Sequence, residues 1–183
     1  MPDFLEKLDD YLVRYLGYFN YKRYSKKLEL KGNEKVLELG SGGGNLSRFL
    51  AKNVPGGELY CMDISPYWLN SARKRLKKFR NIHFLSGFEE IPNLSLDAAI
   101  IHYVLHDIPE AQREKTLNLL KRKLYEQARI YIREPVRKSH GISPKEIKRL
   151  FISQGFHEIS SNQGFSFPLR GLVYEGIFDK HCY

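Results

Sequence analysis

The sequence predicts an α/β protein: a doubly wound, mostly parallel sheet of seven strands, with helices on both faces and an antiparallel last strand. Three observations predict it. Short apolar, strand-like runs alternate with helical segments along most of the chain, the pattern of βαβ units. A glycine-rich turn closes the first strand of that series. The last two strand-like runs follow one another with no helix between them, so the final strand must turn back antiparallel.

Residues 1–32 form a helical cap. Phe4, Leu8, Leu12, Tyr15 and Phe19 recur at three or four residues and make one apolar face, which ends in the tyrosine- and lysine-rich stretch 21–27. Lys31-Gly32-Asn33-Glu34 is a turn, and a main domain spans 33–183. It begins with strand Val36–Leu39, the glycine turn and helix Asn45–Lys52. Pro55-Gly56-Gly57 turns the chain into strand Glu58–Met62. Ser65 caps the next helix, with Pro66 at its first position. Strands Ile82–Leu85 and Ala98–Ile101 follow. Asp107 and Glu110 have the spacing of a capping box for a helix running to about Leu124. Strand Arg129–Ile132 comes next. Ser143-Pro144-Lys145-Glu146 opens a helix that stops at Gly155. Strands Phe156–Ser160 and Val173–Phe178, joined by the connection Ser161–Leu172, make an edge hairpin.

Composition fits one domain and a short appendage. The chain has 183 residues, 42% hydrophobic and 13% aromatic, and a chain of this size buries roughly 70% of its unfolded surface without staples. Its two cysteines, Cys61 and Cys182, exclude a disulfide scaffold and a four-cysteine zinc site. No apolar run approaches the ~20 residues of a membrane span. The acidic, mixed N-terminus is unlike a signal peptide, so the expected location is cytoplasmic. Net charge is +9. The densest basic run, residues 73–80, shares a helix with the stripe Trp68, Ala72, Leu76 and Phe79, and its cations point away from that stripe. It reads as a solvated outer face in preference to a nucleic-acid patch. Nucleic acid is therefore the less favoured partner. The protein is expected as a monomer or homodimer.

The most informative segment is Val36-Leu37-Glu38-Leu39-Gly40-Ser41-Gly42-Gly43-Gly44-Asn45. A strand ends, glycines fall at 40, 42 and 44, and a helix begins. Glycine there lets the backbone take positive φ and lets a ligand approach the main chain closely. The dinucleotide spacing G-x-G-x-x-G fails at Asn45, and a P-loop fails for want of the Lys-Ser/Thr that should follow. Glu38, two residues before the first glycine, repels pyrophosphate and favours an amine. Asp63 ends the second strand, where an acid accepts ribose hydroxyls. The ligand class is thus an amine-bearing, ribose-bearing molecule without phosphate, which describes S-adenosylmethionine.

With these residues the sequence resembles the class I S-adenosylmethionine-dependent methyltransferases, the small ubiquinone/menaquinone-biosynthesis members above all, over about residues 33–180. The resemblance implies a Rossmann-like fold and methyl transfer from S-adenosylmethionine to a small molecule. It implies that Glu38 lies near the methionine amine, directly or through water. Gly40, Ser41, Gly42, Gly44 and Asn45 would wall the cofactor, Asp63 would hold the ribose, and Ile64 would pack on adenine. The family commonly has Gly-Asp after its third strand. Here Gly87-Phe88 stands there, followed by Glu89 and Glu90, so Phe88 or Glu89 would take over the adenine contact. The family's Pro-Gly-Gly before the fifth strand is replaced by Leu124–Ala128.

The fourth strand exits as Ile101-His102-Tyr103-Val104-Leu105-His106-Asp107, at the end of the sheet where ligands bind. His102 would touch the cofactor through its backbone. Tyr103 and His106 are the candidate catalytic residues, since a neutral imidazole suits proton abstraction near pH 7. Asp107 competes as a helix cap. No metal is expected. The acceptor has no signature of its own: Asn/Asp-Pro-Pro-Tyr is missing, and Cys61 lies inside a strand as a small hydrophobe. Other expected walls are the N-terminal helices, Arg133-Glu134-Pro135, and Phe165–Arg170. The rival readings are an RNA or protein methyltransferase, a non-catalytic cofactor-binding module, and an NAD-dependent oxidoreductase that Asn45 and Glu38 disfavour.

Overall fold

A computed structural model describes residues 15–136, 141–166 and 171–180. The expectations for Phe4, Leu8, Leu12, residues 167–170 and Cys182 lie outside these. The elements are α1 (Tyr18–Lys27), β1 (Lys35–Leu39), α2 (Ser47–Asn53), β2 (Glu58–Met62), α3 (Pro66–Leu76) and β3 (Ile82–Leu85). A 3₁₀ turn (Phe88–Glu90) leads to β4 (Leu96–His102), α4 (Glu110–Lys123) and β5 (Leu124–Pro135). The series closes with α5 (Pro144–Ser153), β6 (His157–Ser166) and β7 (Gly171–Asp179).

The seven strands form one sheet in the order β3-β2-β1-β4-β5-β7-β6. Strands β1 to β5 are parallel, and β7 runs antiparallel to both β5 and β6. The central strands are buried on both faces, which is why they read as unbroken apolar runs. Successive side chains still alternate between faces. Leu37, Leu39, Ala99, Ile101, Ile130 and Ile132 pack with α4 and α5 through Leu117, Leu120, Ile147 and Phe151. Val36, Leu59, Ala98, Ile100 and Tyr131 pack on the other face with Tyr21 and Tyr24 of α1 and Phe49 and Leu50 of α2. Helix α1 therefore shares the core of the sheet. β1 pairs with β2 on one side and β4 on the other, and the strand order reverses between β1 and β4. Ligands bind at such a crevice, beyond the carboxyl ends of the strands.

Local signals account for most of the boundaries. Ser65 accepts the amide of Trp68 at 3.5 Å, and Ser143 accepts the amide of Glu146 at 3.1 Å, each with proline at the next position. Glu146 does not complete its box, because its carboxylate pairs with Arg149. The other capping box does not form: α4 starts at Glu110, Pro109 occupies the cap position, and Asp107 stays exposed. The residue before a proline is pushed out of helical geometry, which delays the helix past Ile108. β5 begins directly at Leu124, which pairs with Leu96, so the expected turn Leu124–Ala128 is strand. Most of the expected connection Ser161–Leu172 is strand as well, because β6 continues to Ser166 along β7.

Candidate active site

The crevice is built from the loops that leave β1, β2 and β4. The loop after β1 folds back over β2: the Gly40 and Ser41 amides donate to the Met62 carbonyl at 2.8 and 3.0 Å. Asp63, directly after β2, locks it. One carboxylate oxygen accepts the Gly42 amide at 2.8 Å and the other accepts the Ser65 amide at 2.9 Å. A single side chain thus fixes the glycine loop to the start of α3. Gly40 has φ +69°, and a Cβ there would stand 2.3 Å from Val104 Cγ2, so only glycine lets the β1 and β4 exits meet. Gly44, at φ +81°, abuts Leu76 in the same way on the α3 side. Above Gly42 a Cβ would meet open space.

Three features of this loop fit a ligand laid across it. The Ser41 hydroxyl is buried and, among the described residues, has no hydrogen-bond partner. The space above Gly42 is open. Ile64, next to Asp63, is 91% exposed, so its side chain is open to be covered by a flat apolar group laid beside the loop. Asn45 is half-buried and faces the α3 side of the loop. Gly87 is extended and Phe88 half-buried against the core beside α4, while Glu89 is exposed and Glu90 binds the Ser86 amide and hydroxyl at 2.7 and 2.9 Å.

Glu38 lies beneath the loop, only 3% exposed. It accepts the Ser47 hydroxyl at 2.5 Å, at the first residue of α2, and faces Cys61 Sγ at 3.9 Å. Burial, with a smaller push from the Asp63 carboxylate, raises its pKa to about 8, against the lowering effect of the Ser47 hydrogen bond. Burial likewise pushes the Cys61 thiol up. The sign of the consequence is fixed by linkage. Between about pH 4.5 and 8 the folded protein holds a proton on Glu38 that the unfolded chain releases, so stability falls as pH rises through that window. The melting temperature of Glu38→Gln, neutral at every pH, is expected to gain on that of the parent from pH 6 to pH 9. A constant difference between them would mean that the buried carboxyl does not titrate there.

The β4 exit carries the other predicted residues. Tyr103 has φ +58°, left-handed backbone that a bulky residue adopts at a cost of about 1–3 kcal/mol. The turn is held from β5: the Tyr103 amide donates to the Arg133 carbonyl at 2.9 Å. The Tyr103 hydroxyl meets the Ser166 hydroxyl at 3.2 Å. His102 is buried in a nest of three tyrosine rings, Tyr21, Tyr24 and Tyr103, with centroids 5.3, 5.0 and 4.1 Å away. Arg133 lies over Tyr24 and Tyr103 at 5.1 and 5.5 Å and pairs with Glu175, its Nε 3.1 Å from the carboxylate but off the hydrogen-bond line. The His106 side chain is 3% exposed. Its Nδ1 lies 2.5 Å from Glu134, and its Nε2 lies 3.4 Å from Asp107.

Sequence reasoning named Glu134 only as part of a wall, yet this fully buried carboxylate organises the whole turn. It accepts the amides of Val104 and Leu105 at 2.9 and 2.7 Å as well as facing His106. No local spacing signals a partner some thirty residues away. The tyrosines of α1 around His102 were missed for the same reason. Among the described residues no group of three His, Cys, Asp or Glu comes together as metal ligands would, and no helix is long and apolar enough to cross a membrane.

Comparison with known proteins gives the family and the fold. A family model described as a methyltransferase domain matches residues 37–130, just over half of the chain. The chain is 40% identical over 81 residues to a demethylmenaquinone methyltransferase of Chlorobaculum tepidum, covering 41% of this chain and 32% of that protein. It thus spans about a third of the length of that relative. A SAM-dependent methyltransferase from Aquifex aeolicus superimposes with a TM-score of 0.74 at 21% identity, over 94% of this chain and 95% of that one. The 1,6-didemethyltoxoflavin-N1-methyltransferase of Burkholderia thailandensis, solved with 1,6-didemethyltoxoflavin and S-adenosylhomocysteine, has a TM-score of 0.70 at 16% identity, over 88% of this chain and 79% of that one.

Proposed function

The chain belongs to the methyltransferase-domain family, and from that premise we propose that it binds S-adenosylmethionine and directs its methyl group to a small-molecule acceptor. The observation that carries the reading is the glycine loop pinned by Asp63, with a buried Ser41 hydroxyl left to satisfy and Ile64 standing in solvent. Asp63 holds the ribose hydroxyls, Ile64 covers the adenine, and Gly40, Ser41, Gly42 and Gly44 form the floor, with Asn45 behind them on the α3 side. Glu38 stabilises the floor from below through Ser47, and a cationic amine brought near it would favour the ionised form of its carboxyl. Gly87, Phe88 and Glu89 close the adenine end. The sulfonium donor supplies an already activated methyl group, so the protein has only to position the acceptor in line and keep water out.

The acceptor lies in this reading at the β4 and β5 exits, beside the tyrosine nest and Ser166. Those surfaces are aromatic with one buried cation, Arg133, which suits a flat, partly apolar molecule. The names of the quinone and toxoflavin methyltransferases support an acceptor of that size. Tyr103 meets the acceptor, and His106, held by Glu134, sets the turn that carries it and takes up the acceptor's proton if one is released. Titration calorimetry with S-adenosylmethionine and, separately, NAD tests the reading. We expect binding of the first with a Kd in the micromolar range or below and no heat from the second. NAD binding without S-adenosylmethionine binding would replace the methyltransferase reading with an oxidoreductase one.

A further inference from the structure

The helices on the two faces of the sheet differ in charge. On the α4/α5 face acids and bases are mixed: Glu110, Glu114 and Glu146 stand among lysines and arginines, and Arg149 pairs with Glu114 and Glu146. On the opposite face α1, α2 and α3 carry nine lysines and arginines and no aspartate or glutamate of their own; one of the nine, Lys27, pairs with Glu175 of β7 at 2.8 Å, which leaves eight to set the field. A surface that merely needs solubility mixes both signs. A one-signed field over three adjacent helices attracts a polyanion.

The same three helices enclose a cavity of about 460 Å³ behind the glycine loop. Its cations are Arg48 and Lys52 of α2, Arg75 of α3, and Lys78 just beyond α3. Its rings are Tyr15, Tyr18, Phe19 and Phe79, and among the described residues no acid lines it. Phe19 is 77% exposed, a bare aromatic ring at the rim. The Arg48 guanidinium lies 4.7 Å from the centre of the Tyr18 ring, and the Lys78 ammonium lies 5.4 Å from that of Phe79. The cavity therefore offers ring faces and positive charge together, in a volume within the range of small-ligand sites.

We propose that this face binds single-stranded nucleic acid, with one base seated among the rings of the cavity and the backbone phosphates running over the cations of α1, α2 and α3. Aromatic rings stack on any base, and a basic track follows the backbone without reading sequence. A lipid surface would meet the charge but leave a ring-lined cavity of this size unexplained. The site lies behind the glycine loop, on the side of Gly44 that faces α3, and does not depend on the methyl-transfer reading.

The test is fluorescence anisotropy with a labelled RNA of about twelve nucleotides, within the span that single-strand binding folds cover. Binding near 50 mM salt is expected to weaken about fifty-fold by 200 mM, as for about four neutralised phosphates on a single strand. The exposed pair Lys52→Glu/Lys78→Glu is expected to weaken it at least tenfold, and Phe19→Ala about tenfold through lost stacking. Both variants should melt like the parent and bind S-adenosylmethionine like the parent, which separates this proposal from the functional one. No binding at 50 mM salt would overturn the proposal, as would affinity unchanged by the double reversal. Flotation with phosphatidylserine vesicles in the absence of any RNA binding would also overturn it and assign the face to membranes.

Discussion

Replacing Glu134 by alanine should destabilise the protein by about 3–5 kcal/mol, the range for removing one partner from a buried charged network. For a chain of this length that is a fall in melting temperature of about 6–20 °C. The side chain is fully buried and serves three donors at once: the amides of Val104 and Leu105 and the Nδ1 of His106. Alanine orphans all three, and a buried donor left without its acceptor carries its full desolvation penalty. The effect extends to the turn itself, because Tyr103 holds left-handed backbone only while its neighbours fix it. Glu134→Gln, which keeps one carbonyl oxygen for the two amides, is expected to fall between the parent and the alanine variant. Thermal and urea denaturation measure both. A melting temperature within about 2 °C of the parent for Glu134→Ala would show that the turn is held by packing alone, through residues such as Val104 and Leu105.

Asp63→Ala is expected to weaken S-adenosylmethionine binding about a hundredfold. Two losses combine. The carboxylate would no longer accept the ribose hydroxyls, and hydrogen bonds to a charged group contribute about 1.5–3 kcal/mol each. The floor would also relax, because the Gly42 and Ser65 amides lose their shared acceptor. Asp63→Asn keeps the shape and one carbonyl oxygen, so its affinity should lie well above that of alanine. Calorimetry gives both constants, and denaturation separates the floor from the ligand contact. An alanine variant that melts lower but binds the cofactor as tightly as the parent would leave Asp63 a purely structural brace.

Much of this architecture is legible in the sequence, for identifiable reasons. The strands β1 to β4 are short and buried on both faces, so their apolar runs stand out between turns. Ser65-Pro66 and Ser143-Pro144 mark helix starts because the hydroxyl and the ring each solve a local problem of the first turn. The glycine loop and Asp63 are brought together because they fall within one β1–α2–β2 unit, which makes their juxtaposition readable from the sequence. What escapes is long-range or unpatterned. Glu134 closes a turn that precedes it by about thirty residues. The β6 stretch Ser160–Ser166 lies at the sheet edge, largely polar, without the alternation that would announce a strand. Asp107 has the residue type and spacing of a cap, yet the proline two positions later moves the helix start away from it. The basic face emerges only when three helices, separated in the chain, are seen side by side.

The placement of β7 between β5 and β6 sets the order in which the sheet can be assembled. β6 is made before β7 yet pairs only with it among the strands described. Until residues 171–179 arrive, the growing sheet ends at β5, whose open edge offers unpaired backbone to any passing strand. The β5–β7 register joins Arg129 to Asp179 across fifty residues of chain, a contact whose loop-closure entropy comes due late. A nascent or truncated chain that stops short of β7 therefore presents two sticky edges at once, β5 and the detached β6. Aggregation, rather than a gentle loss of stability, is the natural fate of such a fragment.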